Sequence, residues 1–112
     1  MPLALEIEIG SLLVDAELDD AAAALLDALP YEVPFEEKDG ALMLPSPVAL
    51  EIAKIPPAPP LPGRIAYLPD TRMLALVLLP APYLALTIGR YRCSPDELAS
   101  QAGEILIRLQ KA

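Results

Sequence analysis

The stretch from Leu3 to Leu18 constrains the fold more than any other. Leu3, Leu5, Ile7 and Ile9 alternate with Ala4, Glu6 and Glu8, the period-two pattern of a half-buried strand. Gly10-Ser11 follows, a Gly-X pair suited to a type II′ hairpin turn. Folding back over that turn sets Ile9 opposite Leu12, Ile7 opposite Val14, Leu5 opposite Ala16 and Leu3 opposite Leu18, and every pair is apolar. The other face collects Glu6, Glu8, Asp15 and Glu17, with Leu13 as the one misfit. A slip of one residue would mix the two faces, so the register is specified.

The remaining chain continues in short elements. Asp19-Asp20 precedes an alanine- and leucine-rich stretch that Pro30 stops, which predicts a capped helix up to Leu29, laid on a sheet by Leu25, Leu26 and Leu29. "YEVPFEEKDGALMLP" reads as a second hairpin: Asp39-Gly40 suits a type I′ turn, and Pro34 marks an edge strand. Val48, Leu50 and Ile52 alternate like a further strand. After Gly63, "RIAYLP" and "RMLALVLLP" predict a hairpin around Pro69-Asp70-Thr71, buried on both faces from Met73 to Leu79. "YLALTIGRYRC" continues as a strand. Ser94, Pro95 and Glu97 form a capping box that opens a short helix ending near Gly103, and "EILIRLQ" is a last strand.

Together these elements predict a single mainly β domain over residues 1–112, a closed barrel of about eight strands with two short helices, because closure removes exposed sheet edges. A length of 112 residues suits one core and not two.

The uncharged run Met73–Gly89 nearly reaches the length of a membrane helix. Pro80 and Pro82 divide it into two strand-sized halves, so two buried strands are expected and no membrane association. The first residues show no basic region and include Glu6 and Glu8, so no signal peptide is expected. Cys93 stands alone, and nothing points to an oxidising compartment; the expected location is cytoplasmic. The net charge of −8 and eight scattered basic residues argue against a nucleic-acid partner. Fourteen prolines, no asparagine and two glutamines suit a thermophilic source, an expectation from composition alone.

Composition also narrows the chemistry. Without histidine there is neither an imidazole metal site nor a histidine general base, and one cysteine makes no thiolate cluster; no cofactor or metal is expected. The carboxylates near Glu6, Glu8, Asp15 and Glu17, and those of Glu36, Glu37 and Asp39, are expected on solvated surfaces. Cys93 lies beside Arg92 and a helix start, which favours a thiolate, but with no base nearby in sequence it is read as an inert, partly buried thiol. The most informative polar set is Arg64 and Arg90 with Tyr67 and Tyr83, the candidate ligand-binding residues. At a barrel mouth they suit an anionic or carbonyl-bearing ligand; internal ion pairs with the abundant acids are the plainer reading. No catalytic residue is assigned.

The order of short motifs resembles that of small prokaryotic cyclophilin-like proteins of uncharacterised function. The matching positions are Leu29-Pro30, Gly40, Pro47-Val48, Gly63 with Tyr67 and Pro69, Leu74 to Leu79, and Ile88-Gly89. The resemblance implies a cyclophilin-like β-barrel and no prolyl isomerase activity, since the aromatic, amide and histidine groups of true cyclophilins are missing. Arg64 stands where these relatives often carry aspartate, and Leu68 where they often carry tryptophan. Three functions are therefore expected in falling order: a non-catalytic module for a small-molecule or peptide ligand, a homo-oligomeric interaction protein, and a residual isomerase. The proline run "IPPAPPLPG" has PxxP spacing but lies between predicted strands, and is read as a stiff connector to Arg64 and Tyr67.

Overall fold

The computed structural model describes residues 3–112. The first hairpin forms as the alternation dictates. β1 (Leu3–Ile9) and β2 (Leu12–Leu18) pair with Leu3 opposite Leu18, Leu5 opposite Ala16, Ile7 opposite Val14 and Ile9 opposite Leu12. Gly10 takes a positive φ of 57°, whereas Ser11 does not, which is the asymmetry of a type II′ turn.

A 3-10 turn (Asp20–Ala22) leads into α1 (Ala23–Leu26), and Asp19 Oδ1 accepts a hydrogen bond from the Ala21 N–H at 2.8 Å. The helix is shorter than its sequence predicts. Ala28 and Leu29 donate to Leu25 and Leu26, three residues back, so the last turn tightens instead of extending to Leu29.

β3 (Tyr31–Pro34), β4 (Glu36–Lys38) and β5 (Ala41–Pro45) come from the second predicted hairpin. Asp39 and Gly40 both have positive φ, 52° and 78°, as a type I′ turn requires. β6 (Arg64–Leu68), β7 (Met73–Val77), β8 (Leu86–Tyr91), α2 (Pro95–Ala99) and β9 (Leu106–Lys111) complete the chain. Ser94 Oγ accepts the Glu97 N–H at 3.1 Å and caps α2.

Among the described residues the strands form one nine-stranded sheet in the order β3-β9-β1-β2-β8-β6-β7-β5-β4. Its two terminal strands are consecutive pieces of one segment. The first half of residues 31–38 pairs with β9 and the second half with β5, so the sheet curls into a nearly closed barrel. Pro34, which has no N–H to donate, sits at the changeover. The Tyr31 hydroxyl donates to the Pro45 carbonyl at 2.8 Å and ties the two margins together. The ninth strand arises because the arm expected as a single strand is split between two ladders.

The barrel interior is apolar, with Ile7, Ile9, Leu42, Leu44 and Ile88 fully buried. Each such side chain contributes about 1.5–3 kcal/mol relative to exposure. A second, smaller cluster lies on the outer face of β5, β6 and β7, where Ala41, Met43, Ala66, Ala75 and Val77 are buried with Ala85. The run is thus buried on both faces from Leu74 to Leu78, while Leu79, expected to be buried with it, is exposed because the chain has left the sheet after β7. No helix among the described residues is long and apolar enough to cross a membrane.

One expected strand is absent. Val48–Ile52 keeps its alternation as burial, with Leu50 inside and Ala49 and Glu51 exposed, but it joins no ladder. Both edges of β5 are already taken by β4 and β7, and both edges of β6 by β7 and β8. The proline run is a connector: Ala58 and Ala85 exchange backbone hydrogen bonds at 3.1 and 3.0 Å, and the Gly63 N–H donates to Val77 at 3.0 Å. That anchoring sets the start of β6, and with it Arg64.

Candidate functional site

β8 joins the two halves of the barrel. Its C-terminal end pairs with β2 (Leu18–Gly89, Glu17–Arg90, Ala16–Tyr91), and its length pairs with β6. On the β6 side Ile65 faces Gly89 and Ala66 faces Thr87, so Ile88 is an extra residue, a β-bulge. Strict alternation from Leu86 and Ile88, both in the core, would turn Arg90 inward. The bulge resets the alternation and places Arg90 on the outer face, with Tyr91 buried. Gly89 is required there: a Cβ would stand 2.1 Å from the Glu17 carbonyl oxygen.

The result is a row of side chains across three strands, Glu17 on β2, Arg90 on β8 and Arg64 on β6, in direct register. Arg90 Nε donates to Glu17 Oε2 at 3.2 Å, and Arg92 Nη2 donates to Glu17 Oε1. The Arg92 hydrogen bond, reinforced by Arg90, holds the Glu17 carboxyl below its ordinary value of 4.5 against partial desolvation. Arg64 has no carboxylate within ion-pair distance among the described residues, and its cross-strand neighbour is a like charge. Arg64 and Arg90 border an open cleft of about 400 Å³, closed on its other sides by Glu17, Asp19, Asp20 and Thr87. Its volume falls within the usual range of ligand pockets, about 300–1,000 Å³.

The four residues singled out in the sequence therefore separate into three places. Arg64 and Arg90 meet at the cleft. Tyr67 is inside the barrel, where its hydroxyl accepts the Leu50 N–H at 3.2 Å and pins the loop after β5. Tyr83 packs on the outer cluster with Ala66 and Ala75, its hydroxyl buried without a hydrogen-bond partner among the described residues. Burial, together with the Asp39 charge, raises its pKa. Sequence reasoning missed Glu17, Asp19 and Thr87 as neighbours of the arginines. The one available signal was Gly89 inside a strand, a mark of a bulge or close backbone approach. Cys93 is half-buried, and burial, with Glu97 nearby, pushes its thiol up, in keeping with the inert reading.

Two solved structures share this fold. The hypothetical protein AF2241 from Archaeoglobus fulgidus, determined in solution, superposes with a TM-score of 0.74 at 20% identity, over 99% of this chain and 95% of its own. McbB in complex with tryptophan superposes with a TM-score of 0.75 at 18% identity, over 96% of this chain. The chain spans 44% of McbB. No family model and no curated protein matches the sequence. At these identities the likeness is one of fold, and it supports the barrel-like sheet.

Proposed function

We propose that this chain is a non-catalytic binding module, a single cyclophilin-like domain over residues 1–112 acting in the cytoplasm, whose ligand is a small molecule bearing a carboxylate. Arg64 and Arg90 hold the anionic group, with Thr87 as a further donor. The observation that carries the reading is Arg64: it faces Arg90 in register, yet only Arg90 is neutralised by Glu17. A carboxylate spanning the two guanidiniums relieves that repulsion and gains charge-assisted hydrogen bonds. McbB, a fold neighbour that holds tryptophan, makes an amino acid the first ligand to try. Asp19, which also lines the cleft, suits its ammonium group. Tyr67 serves indirectly, through the loop it pins.

Calorimetric titration with tryptophan and other amino acids tests this. Saturable binding that weakens at least tenfold in Arg64→Ala, with an unchanged melting temperature, supports it. Equal affinity in the variant, or no binding by the native protein at millimolar ligand, overturns it.

A second reading, self-association, is favoured by Leu61, Leu79 and Leu84, all at least 60% exposed. A strict monomer by sedimentation at high concentration removes it.

A further inference from the structure

The cleft at Arg64 and Arg90 does not end at its acidic wall. Asp19 and Asp20 also border a second depression of about 640 Å³, whose far side is the segment from Glu51 to Ile55. The two hollows share those side chains and run from the arginine pair past Asp19 to the loop. Charge changes along the way: Arg64 and Arg90, the latter paired with Glu17, line the first hollow, and the second is acidic on balance, with Asp19, Asp20 and Glu51 against the single cation Lys54.

The wall of the second hollow has an unusual main chain. Val48–Ile52 has the alternation of a strand, and Ile52 and Ile55 lean on the core, so the segment is held in place. It still pairs with no strand. From Glu51 to Pro57 no backbone N–H or C=O has a hydrogen-bond partner among the described residues. A row of free donors and acceptors beside a groove is what an added extended chain satisfies.

Resting on the carboxylate site proposed above, we infer that the ligand of this groove is a short peptide with both termini free. Its C-terminal carboxylate lies on Arg64 and Arg90, and its main chain runs along residues 51–55. Its amino group is neutralised by Glu51. A free amino acid carries both charges on one carbon and fills only the first hollow. Each added residue extends the chain by about 3.3–3.6 Å, which carries the ammonium away from the arginines toward the loop. The charge order of the groove thus sets the direction of the peptide as well as its class.

The test compares four probes by calorimetry on the full chain: free tryptophan, the tripeptide Ala-Ala-Trp, its C-terminal amide and its N-acetylated form. The expected result is that the tripeptide binds at least tenfold tighter than tryptophan, and that either blocked form loses at least tenfold. Glu51→Lys should weaken the tripeptide several-fold and leave tryptophan binding as it was, with an unchanged thermal melt as the control for folding. If tryptophan binds and the tripeptide binds no tighter, the peptide inference falls while the carboxylate site stands. It falls in the same way if amidation or acetylation makes no difference. If neither tryptophan nor tripeptide binds, both fall together.

Discussion

The hairpins β1–β2 and β6–β7 use the same antiparallel ladder in opposite ways. In β1–β2 one face is buried and the other carries Glu6, Glu8, Asp15 and Glu17, so the sequence alternates. In β7 both faces are covered. Leu74 and Leu76 point into the barrel, while Ala75 and Val77 lie under the outer cluster. The outer face is therefore polar on β1 and β2 and apolar on β7, and β8 runs between the two kinds of surface. The cleft lies at that junction, where charged side chains from β2 and β8 meet the first residue of β6. A strand buried on both faces offers no polar groups to a ligand, and a fully solvated one offers no shelter. The boundary between them offers both.

The largest expected effect breaks the comparison directly. Ala75→Lys puts a charge under the outer cluster and should cost upwards of about 3 kcal/mol or prevent folding, because nothing there pairs with it. Leu13→Lys, on the exposed face of β2 opposite Glu8, should stay within about 0.5 kcal/mol of the native protein. Urea denaturation of both measures the contrast, and equal losses would remove the distinction between the two hairpins.

A smaller effect is expected at the junction. Gly89→Ala drives a methyl group against the Glu17 backbone and should cost about 3 kcal/mol, read as a lowered denaturation midpoint. Because the bulge carries Arg90, the same variant should also lose ligand affinity.

The smallest effect sharpens the electrostatics of the row. The arginines hold the folded-state pKa of Glu17 below its ordinary 4.5, so the unfolded chain takes up the proton first as pH falls. The stabilisation is fully present above about pH 4.5 and disappears as pH drops through the lower, folded value. Glu17→Gln should therefore be slightly less stable than the native protein at pH 7, and the two should converge as pH falls through the lower, folded value. An identical acid limb would show that the ion pairs do not contribute.

Much of the fold is legible in the residues. The β1–β2 register follows from four apolar pairs and the Gly10-Ser11 turn, because a slip of one residue would carry glutamate into the core and the two-residue turn selects among the rest. The Asp39-Gly40 turn, the Ser94 cap and the burial of β7 on both faces are equally local, each determined by residues close together in the chain. The barrel follows from the number of strands, though not the way it closes. The alternation at Val48–Ile52 correctly signals burial but not pairing, because whether a ladder edge is free depends on strands far away in sequence.

The candidate site divides along the same line. The sequence by itself determined that Arg64 and Arg90 flank buried strands, that no histidine chemistry is possible, and that the proline run leads into β6. Only the tertiary structure decided that the two arginines meet while Tyr67 and Tyr83 do not join them. It did so through one extra residue at Ile88, which reverses the alternation and turns Arg90 from the core to the surface. A bulge is a property of two strands in register. The close approach that goes with it, of the Glu17 carbonyl to Gly89, involves residues 72 positions apart, and a glycine within a strand marks such a place without saying what comes near.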